Sequence, residues 1–185
     1  MPNWCTNYLT IVHDDIQKMN ELLFVIERAK EAKEHAEGFF QQIVPMPAEL
    51  LDDDLTTYGG SEEEQAARIV KQKAMIDKYG FPSWYDWRIE NWGTKWDIRE
   101  FTFENFDPAD HKLDINFETA WSPPLPIYEA LMEQGYYIRA EYVDEGMGFA
   151  GEWVYGNDFC YGSKEDTPEH LSHLWPTYDD EGELI

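Results

Sequence analysis

The sequence contains few of the residues that mark common classes of exported or membrane protein. Two cysteines in 185 residues, Cys5 and Cys160, are too few for a disulfide scaffold. No apolar run approaches the ~20 residues that span a bilayer. The first residues have neither the basic start nor the apolar middle of a signal peptide. We therefore expect a cytoplasmic protein with reduced thiols and no membrane partner.

Basic residues are scarce. The chain has 14 Lys and Arg against 38 Asp and Glu, a formal net charge of −24. Residues 1–99 contain 11 basic and 18 acidic side chains, a difference of −7, whereas residues 100–185 contain 3 and 20, a difference of −17. Such a field repels nucleic acid and anionic membranes and attracts basic protein surfaces. Direct binding to nucleic acid is not expected, and a merely solubilising acidic surface stays open as the plainer alternative.

Motifs for catalysis and cofactor binding are also missing. There is no Gly-x-Ser-x-Gly and no Cys/His pair close in sequence. Folding would have to bring Cys5 to His13 or His111 to form a nucleophilic pair. His170 and His173 have a spacing that suits a metal, but no third firm ligand accompanies them, and a solvated tail is the plainer interpretation. We expect no enzyme activity, no metal and no cofactor.

The hydrophobic pattern predicts strands and helices in a mixed order, and 43% hydrophobic content is enough for a folded core. Strands are expected at 4–12, 98–106, 112–121, 136–143 and 147–155, and helices at 16–37, 62–79 and 122–134. Without the middle segment the order is βαββαβ plus one hairpin strand. We predict an α+β ferredoxin-like sandwich, an antiparallel sheet with helices on one face.

The predicted organisation is one ferredoxin-like domain and a tail. The domain covers residues 1–157 and contains a helical insertion at about 48–97. Residues 158–185 form an acidic C-terminal extension.

Four of the eight tryptophans lie in the segment 84–97. Each indole has a large apolar body and one N–H that requires a partner. We favour rings that close one end of the sheet, because aromatic clusters are more often core than ligand site. The alternative is an aromatic-walled ligand pocket. That pocket would comprise Asn3, Asn7, Asn91, Trp92, Lys95, Trp96 and Trp121.

Five segments, in order along the chain, resemble the YubB ferredoxin-like domain family. They are Met1–Asn7, Ile43–Pro47, Glu90–Asp97, Thr119–Pro124 and Glu145–Gly151. The family is found in plasmid, phage and prophage proteins and offers no catalytic residues to carry over. The resemblance implies a ferredoxin-like fold and an accessory protein of a mobile element that works inside a bacterial cell.

The acidic later half of the chain leads to the first functional hypothesis. Under this hypothesis, the protein would bind a basic surface of a host protein. It would mimic the charge of nucleic acid and so inhibit a defence or nucleic-acid-handling factor. The acidic face would comprise Asp144, Glu145, Glu152, Asp158, Glu165 and Asp166. The alternative is a small-molecule binding or sequestering protein that uses the tryptophan-lined pocket.

Overall fold

Six strands form one antiparallel sheet in the computed structural model, which describes residues 3–31, 38–146 and 148–176. The strands are β1 (Trp4–Val12), β2 (Arg99–Asp107), β3 (Lys112–Ala120), β4 (Tyr137–Asp144), β5 (Ala150–Val154) and β6 (Asn157–Tyr161). Their spatial order is β2-β3-β1-β4-β5-β6. The first four strands in that order interleave as in a ferredoxin-like split βαβ unit, which agrees with the predicted α+β sandwich.

Five α-helices connect the strands within the described ranges. They are α1 (Ile16–Glu31), α2 (Phe39–Ile43), α3 (Glu62–Tyr79), α4 (Trp84–Trp92) and α5 (Leu125–Glu133), and 3-10 turns lie at Ala48–Leu51, Asp53–Leu55 and Glu169–Leu174. The predicted first helix is described as far as Glu31, and residues 32–37 lie outside the described part of the chain. No helix in the described ranges has both the length and the apolar character that crossing a bilayer requires.

Strand alternation determines which face of the sheet is buried. Along β1, Cys5, Asn7, Leu9 and Ile11 are buried, while the side chains between them are more exposed. Because successive side chains of a strand point to opposite faces, one face packs against the helices and the other remains open. Helices α1, α2, α4 and α5 all contribute buried apolar side chains to this single core.

The insertion between α2 and β2 contains a well-formed helix at the surface, after its two 3-10 turns. Ser61 and Glu64 make a capping box, in which the Ser61 hydroxyl accepts the Glu64 N–H and the Glu64 side chain accepts the Ser61 N–H. Gly80 ends α3 in the left-handed conformation. No residue of α3 is buried, so the acidic and basic side chains of this helix remain at the surface.

The sequence pattern does not predict β6. Tyr155 and Gly156 have φ values of 52° and 74°, the conformation of a tight type I′ hairpin turn. The chain then returns as Asn157–Tyr161, antiparallel to β5. Gly156, after the alternating run of β5, was the sequence signal for this turn. The sheet therefore continues beyond residue 157, where the predicted domain ends. The predicted strand at 147–155 starts later than expected, at Ala150, and residue 147 is not described.

The segment after β6 packs on the face of the sheet opposite the helices. Leu171, Leu174 and Trp175 are buried and form a small second cluster with Ala150. The Trp175 indole N–H donates to the Thr167 hydroxyl at 2.9 Å. Part of the open face is therefore covered by the chain itself.

Trp92 provides a test of the core. It is fully buried, its ring packs edge-on against Phe40 and Trp87, and its N–H donates to the Val44 carbonyl at 2.9 Å. Replacing Trp92 with Ala should lower the free energy of unfolding by about 3–5 kcal/mol, since a large cavity is left. Urea denaturation followed by circular dichroism measures this loss. Trp121→Ala, at a ring 43% exposed, is the control and should cost much less; equal losses would contradict the core position of Trp92.

Candidate functional site

Two of the five segments that carry the sequence resemblance, Glu90–Asp97 and Thr119–Pro124, meet at one end of the sheet. The loop after α4 and the loop before α5 are joined by side-chain hydrogen bonds: the Thr94 hydroxyl donates to the Ala120 carbonyl at 3.0 Å, and the Ser122 hydroxyl donates to the Gly93 carbonyl at 2.6 Å. Gly93 has a φ of 78°, and a Cβ there would lie 2.9 Å from Cδ of Pro126. Both the backbone conformation and the space therefore require glycine at this position.

A lysine lies between two indoles on the outer side of this junction. The Lys95 ammonium is 3.8 Å from the ring centroid of Trp96 and 4.0 Å from that of Trp121. Trp4 extends the cluster, with its ring centroid 5.8 Å from that of Trp96. Trp121 has a φ of 75°, which is unusual for a bulky residue. Its backbone N–H donates to the Asn3 carbonyl at 3.0 Å. We call Trp4, Lys95, Trp96 and Trp121 the Trp–Lys cluster.

The predicted tryptophan-lined pocket is wrong as a single site, because the structure separates its members. Lys95, Trp96 and Trp121 lie in the partly exposed Trp–Lys cluster beside Asn3, whereas Trp92 is fully buried in the core. Trp92 therefore contributes stability and presents no surface to a ligand. Its ring packs in the core against Phe40 and Trp87.

The two remaining amides of the predicted pocket have their hydrogen bonds inside the protein. Asn7 is fully buried; its amide N–H group donates to the Cys5 carbonyl and the Thr119 hydroxyl, both at 2.9 Å, and its oxygen accepts the Tyr128 hydroxyl at 3.0 Å. Asn91 donates to the carbonyl one turn earlier in α4 at 2.8 Å. Both amides are thus structural.

A groove of about 340 Å³ lies on the other side of the junction, between the start of α5 and the β5–β6 hairpin. The residues of one wall are Gly93, Ser122, Pro123, Leu125 and Pro126, and those of the other are Tyr142, Phe149, Asp158 and Cys160. Eight of these nine side chains are neutral, so Asp158 is the charged group among the described residues that line the groove. Its size is typical of sites that bind a small molecule or a side chain.

Hydrogen bonding and burial set the chemistry of the groove. The Tyr142 hydroxyl donates to Oδ1 of Asp158. Burial, and then this hydrogen bond, raise the pKa of Tyr142 above its ordinary value, so the hydroxyl stays a neutral donor. Burial also raises the pKa of the Cys160 thiol, which disfavours the reactive thiolate. The groove therefore offers one carboxylate within largely apolar walls.

The six residues of the predicted acidic face do not form one continuous surface. Asp144 is only 5% exposed, and its Oδ2 accepts the Gly148 N–H at 3.1 Å. Asp158 is directly opposite Trp153 in the β5–β6 pair, which places it on the helix-covered side of the sheet. Glu152, the neighbour of Trp153, must point to the other side.

The other members of the predicted face have side-chain partners or lie in loops. Glu152 pairs with His170 at 3.0 Å and with Arg139 at 3.7 Å. Glu145 and Glu165 are exposed. Asp166 is also exposed and accepts a hydrogen bond from a neighbouring serine at 2.9 Å. The prediction of a single acidic face is thus corrected to separate acidic positions around the hairpin.

The candidate nucleophilic and metal-binding groups are not brought together. Cys5 and His13 lie eight residues apart along β1 and its end, about 26 Å in an extended strand, and burial, followed by the nearby Asp144, raises the pKa of the Cys5 thiol. His111 lies with its Nδ1 3.1 Å from the His13 carbonyl, at that same far end. The two histidines of the C-terminal turn contact different carboxylates: His170 binds Glu152, and His173 binds Glu141 at 3.0 Å.

The Trp–Lys cluster is expected to contribute to stability. Lys95→Met keeps the length of the side chain and removes the charge, so it should lower the free energy of unfolding by about 0.5–1 kcal/mol. Urea denaturation followed by tryptophan fluorescence measures the effect. Lys73→Met, at an exposed position of α3, removes the same charge away from any aromatic ring that the structure describes and serves as the matched control. Equal effects of the two substitutions would show that net charge, and not ring contact, is responsible.

Comparison with known proteins bears on the fold. A family model described as a ferredoxin-like domain in Api92-like protein matches residues 91–165. The crystal structure of a protein api92 from Yersinia pseudotuberculosis aligns with a TM-score of 0.43 at 11% identity, over 88% of this chain and 99% of that chain. No curated protein matches. The matching name is Api92-like, and the YubB name of the sequence resemblance is not confirmed. Residues 91–165 are similar to a ferredoxin-like domain, which confirms the predicted fold class.

Proposed function

We propose that this chain is an acidic accessory protein of a phage or plasmid that binds a basic surface of a host protein. The observation that carries this proposal is the charge of residues 100–185, which have 20 acidic and 3 basic side chains. Two of these three cations, Lys112 and Arg139, already pair with carboxylates on the open face of the sheet. Most of the negative charge is therefore left without a cation from this half of the chain.

The host surface that fits such a charge is one that normally binds phosphates. Carboxylates at a separation of several ångströms can occupy a positively charged groove and steer association from a distance. By competing with nucleic acid for that groove, the protein would inhibit a defence or nucleic-acid-handling factor. Because the acidic positions surround the β5–β6 hairpin and the loop that follows it, we place the contact there.

A second candidate function is the binding or sequestration of a small molecule. The groove beside α5 favours it, since a volume of about 340 Å³ with mostly apolar walls suits such a ligand. The site would be this groove and not the tryptophan pocket that the sequence analysis predicted. A small ligand would make few charge–charge contacts with the protein, so its binding should depend only weakly on salt concentration.

Salt dependence tests the primary proposal. The immobilised protein should retain a basic host protein from a bacterial lysate at low salt and release it at high salt, because surface charges are screened within about 8 Å at physiological ionic strength. Glu145→Gln combined with Glu165→Gln should weaken retention severalfold. Mass spectrometry of the retained protein and surface plasmon resonance with that protein measure these effects.

The matched control removes the same charge from the insertion. Glu63 and Glu90 are exposed in α3 and α4, and their replacement by Gln changes the net charge equally. Retention should then stay near that of the unmodified protein. Capture of only background proteins at both salt concentrations, or equal loss with both double variants, would overturn the proposal.

A further inference from the structure

Three features of the groove beside α5 indicate which kind of ligand it would bind. Its walls are largely apolar, with Leu125 and Pro126 on one side and Phe149 on the other. Asp158 is the single charged side chain among its described lining residues. The Tyr142 hydroxyl occupies Oδ1 of that carboxylate, and Oδ2 accepts no hydrogen bond from the described residues. An apolar cleft with one unneutralised carboxylate complements a cation on an apolar stem.

The aromatic rings favour one kind of cation. Phe149 and Tyr142 lie edge-on to each other, with centroids 6.0 Å apart. A guanidinium is planar, stacks on aromatic rings and is weakly hydrated, whereas an ammonium is compact and strongly hydrated. The partly exposed ring of Phe149 and the carboxylate of Asp158 therefore suit arginine better than lysine, while the buried Tyr142 contributes its hydroxyl to Asp158.

The position of the groove favours a protein partner as the source of the arginine. One wall belongs to β6, which is the edge strand of the sheet, so the groove lies at an accessible border of the molecule. The exposed acids Glu145 and Glu165 lie in the loops that flank the hairpin and would draw a basic segment toward it. A volume of about 340 Å³ is enough for one long side chain with part of an apolar neighbour.

We propose that this groove binds an arginine side chain of the partner, with the guanidinium on Asp158 and its stem against Phe149 and Leu125. The inference rests on the proposed function, because it gives the basic partner an anchoring residue. It adds a defined contact to an attraction that charge alone would leave diffuse. Asp158 is then a specificity-determining residue, while the loop carboxylates set the rate of association.

The exposed Cys160 thiol lines the groove and reports its occupancy in the unmodified protein, while Cys5 is fully buried and does not interfere. The probe is the peptide Ac-Leu-Arg-Leu-NH2, and the matched peptide contains citrulline, the neutral isostere of arginine. The arginine peptide should slow alkylation of Cys160 by iodoacetamide severalfold, and the citrulline peptide should not. Mass spectrometry at equal ionic strength measures both rates. Equal slowing by the two peptides, or none, would overturn the inference.

Substitution of Asp158 supplies a second readout. Asp158→Asn should lower the affinity of the groove for the arginine peptide by about tenfold, because one charge-assisted hydrogen bond is lost. Glu63→Gln removes the same charge from the exposed surface of α3, outside the lining of the groove, and should leave Cys160 protection unchanged. Unchanged protection in Asp158→Asn would overturn the inference, and the peptide comparison in the unmodified protein decides the matter if that variant does not fold.

The two proposals fail in distinguishable ways. A basic host protein that is retained in a salt-dependent manner but does not protect Cys160 would overturn the arginine site and leave the proposed function standing. Protection of Cys160 by the arginine peptide, without any retained basic protein, would overturn the proposed function and leave an arginine-binding groove.

Discussion

The buried amide of Asn7 joins the elements on which the candidate site depends. Its hydrogen bonds tie β1 to Thr119 at the end of β3 and to Tyr128 in α5. The Thr119 hydroxyl also donates to the Ser122 carbonyl at 2.7 Å, so the turn between β3 and α5 is held from inside. Burying a polar side chain is costly unless hydrogen bonds satisfy it, and here the partners belong to β1, β3 and α5. The position of Ser122, and with it one wall of the groove, follows from this arrangement.

The fold was more accessible to sequence reasoning than the site, for physical reasons. Alternation and helical periodicity are local patterns, so the strands, the helices and the capping box of Ser61 are predictable from neighbouring residues. The site forms from loops distant in sequence. Trp92 and Trp96 lie four residues apart, yet one is buried in the core and the other contacts Lys95, because the helix ends between them at Gly93. A cluster of tryptophans in sequence therefore does not predict a cluster in space.

The acidic face fails as a sequence prediction for a related reason. Net charge is a property of composition, whereas a charged surface depends on strand alternation and on pairing. Alternation places Asp158 and Glu152 on opposite sides of the hairpin, and Glu152 then pairs with Arg139 and contacts the His170 ring. What composition did establish is the large excess of carboxylates over cations in the later half, which no pairing within that half can remove.

The β5–β6 hairpin is the addition that distinguishes this sheet from a four-stranded ferredoxin-like one. It extends the sheet past β4, beyond the area that α5 covers, so a cleft remains between helix and hairpin. The opposite face of the same hairpin is closed by Leu171 and Trp175, which leaves the cleft on the helix side as the accessible one. The C-terminal turn thus covers one face of the hairpin, while Trp153 anchors the other face in the main core. Asp158 lies on that edge strand, where a carboxylate also discourages pairing with a stray strand. The same charge that keeps the edge from aggregating is then available to a cationic partner.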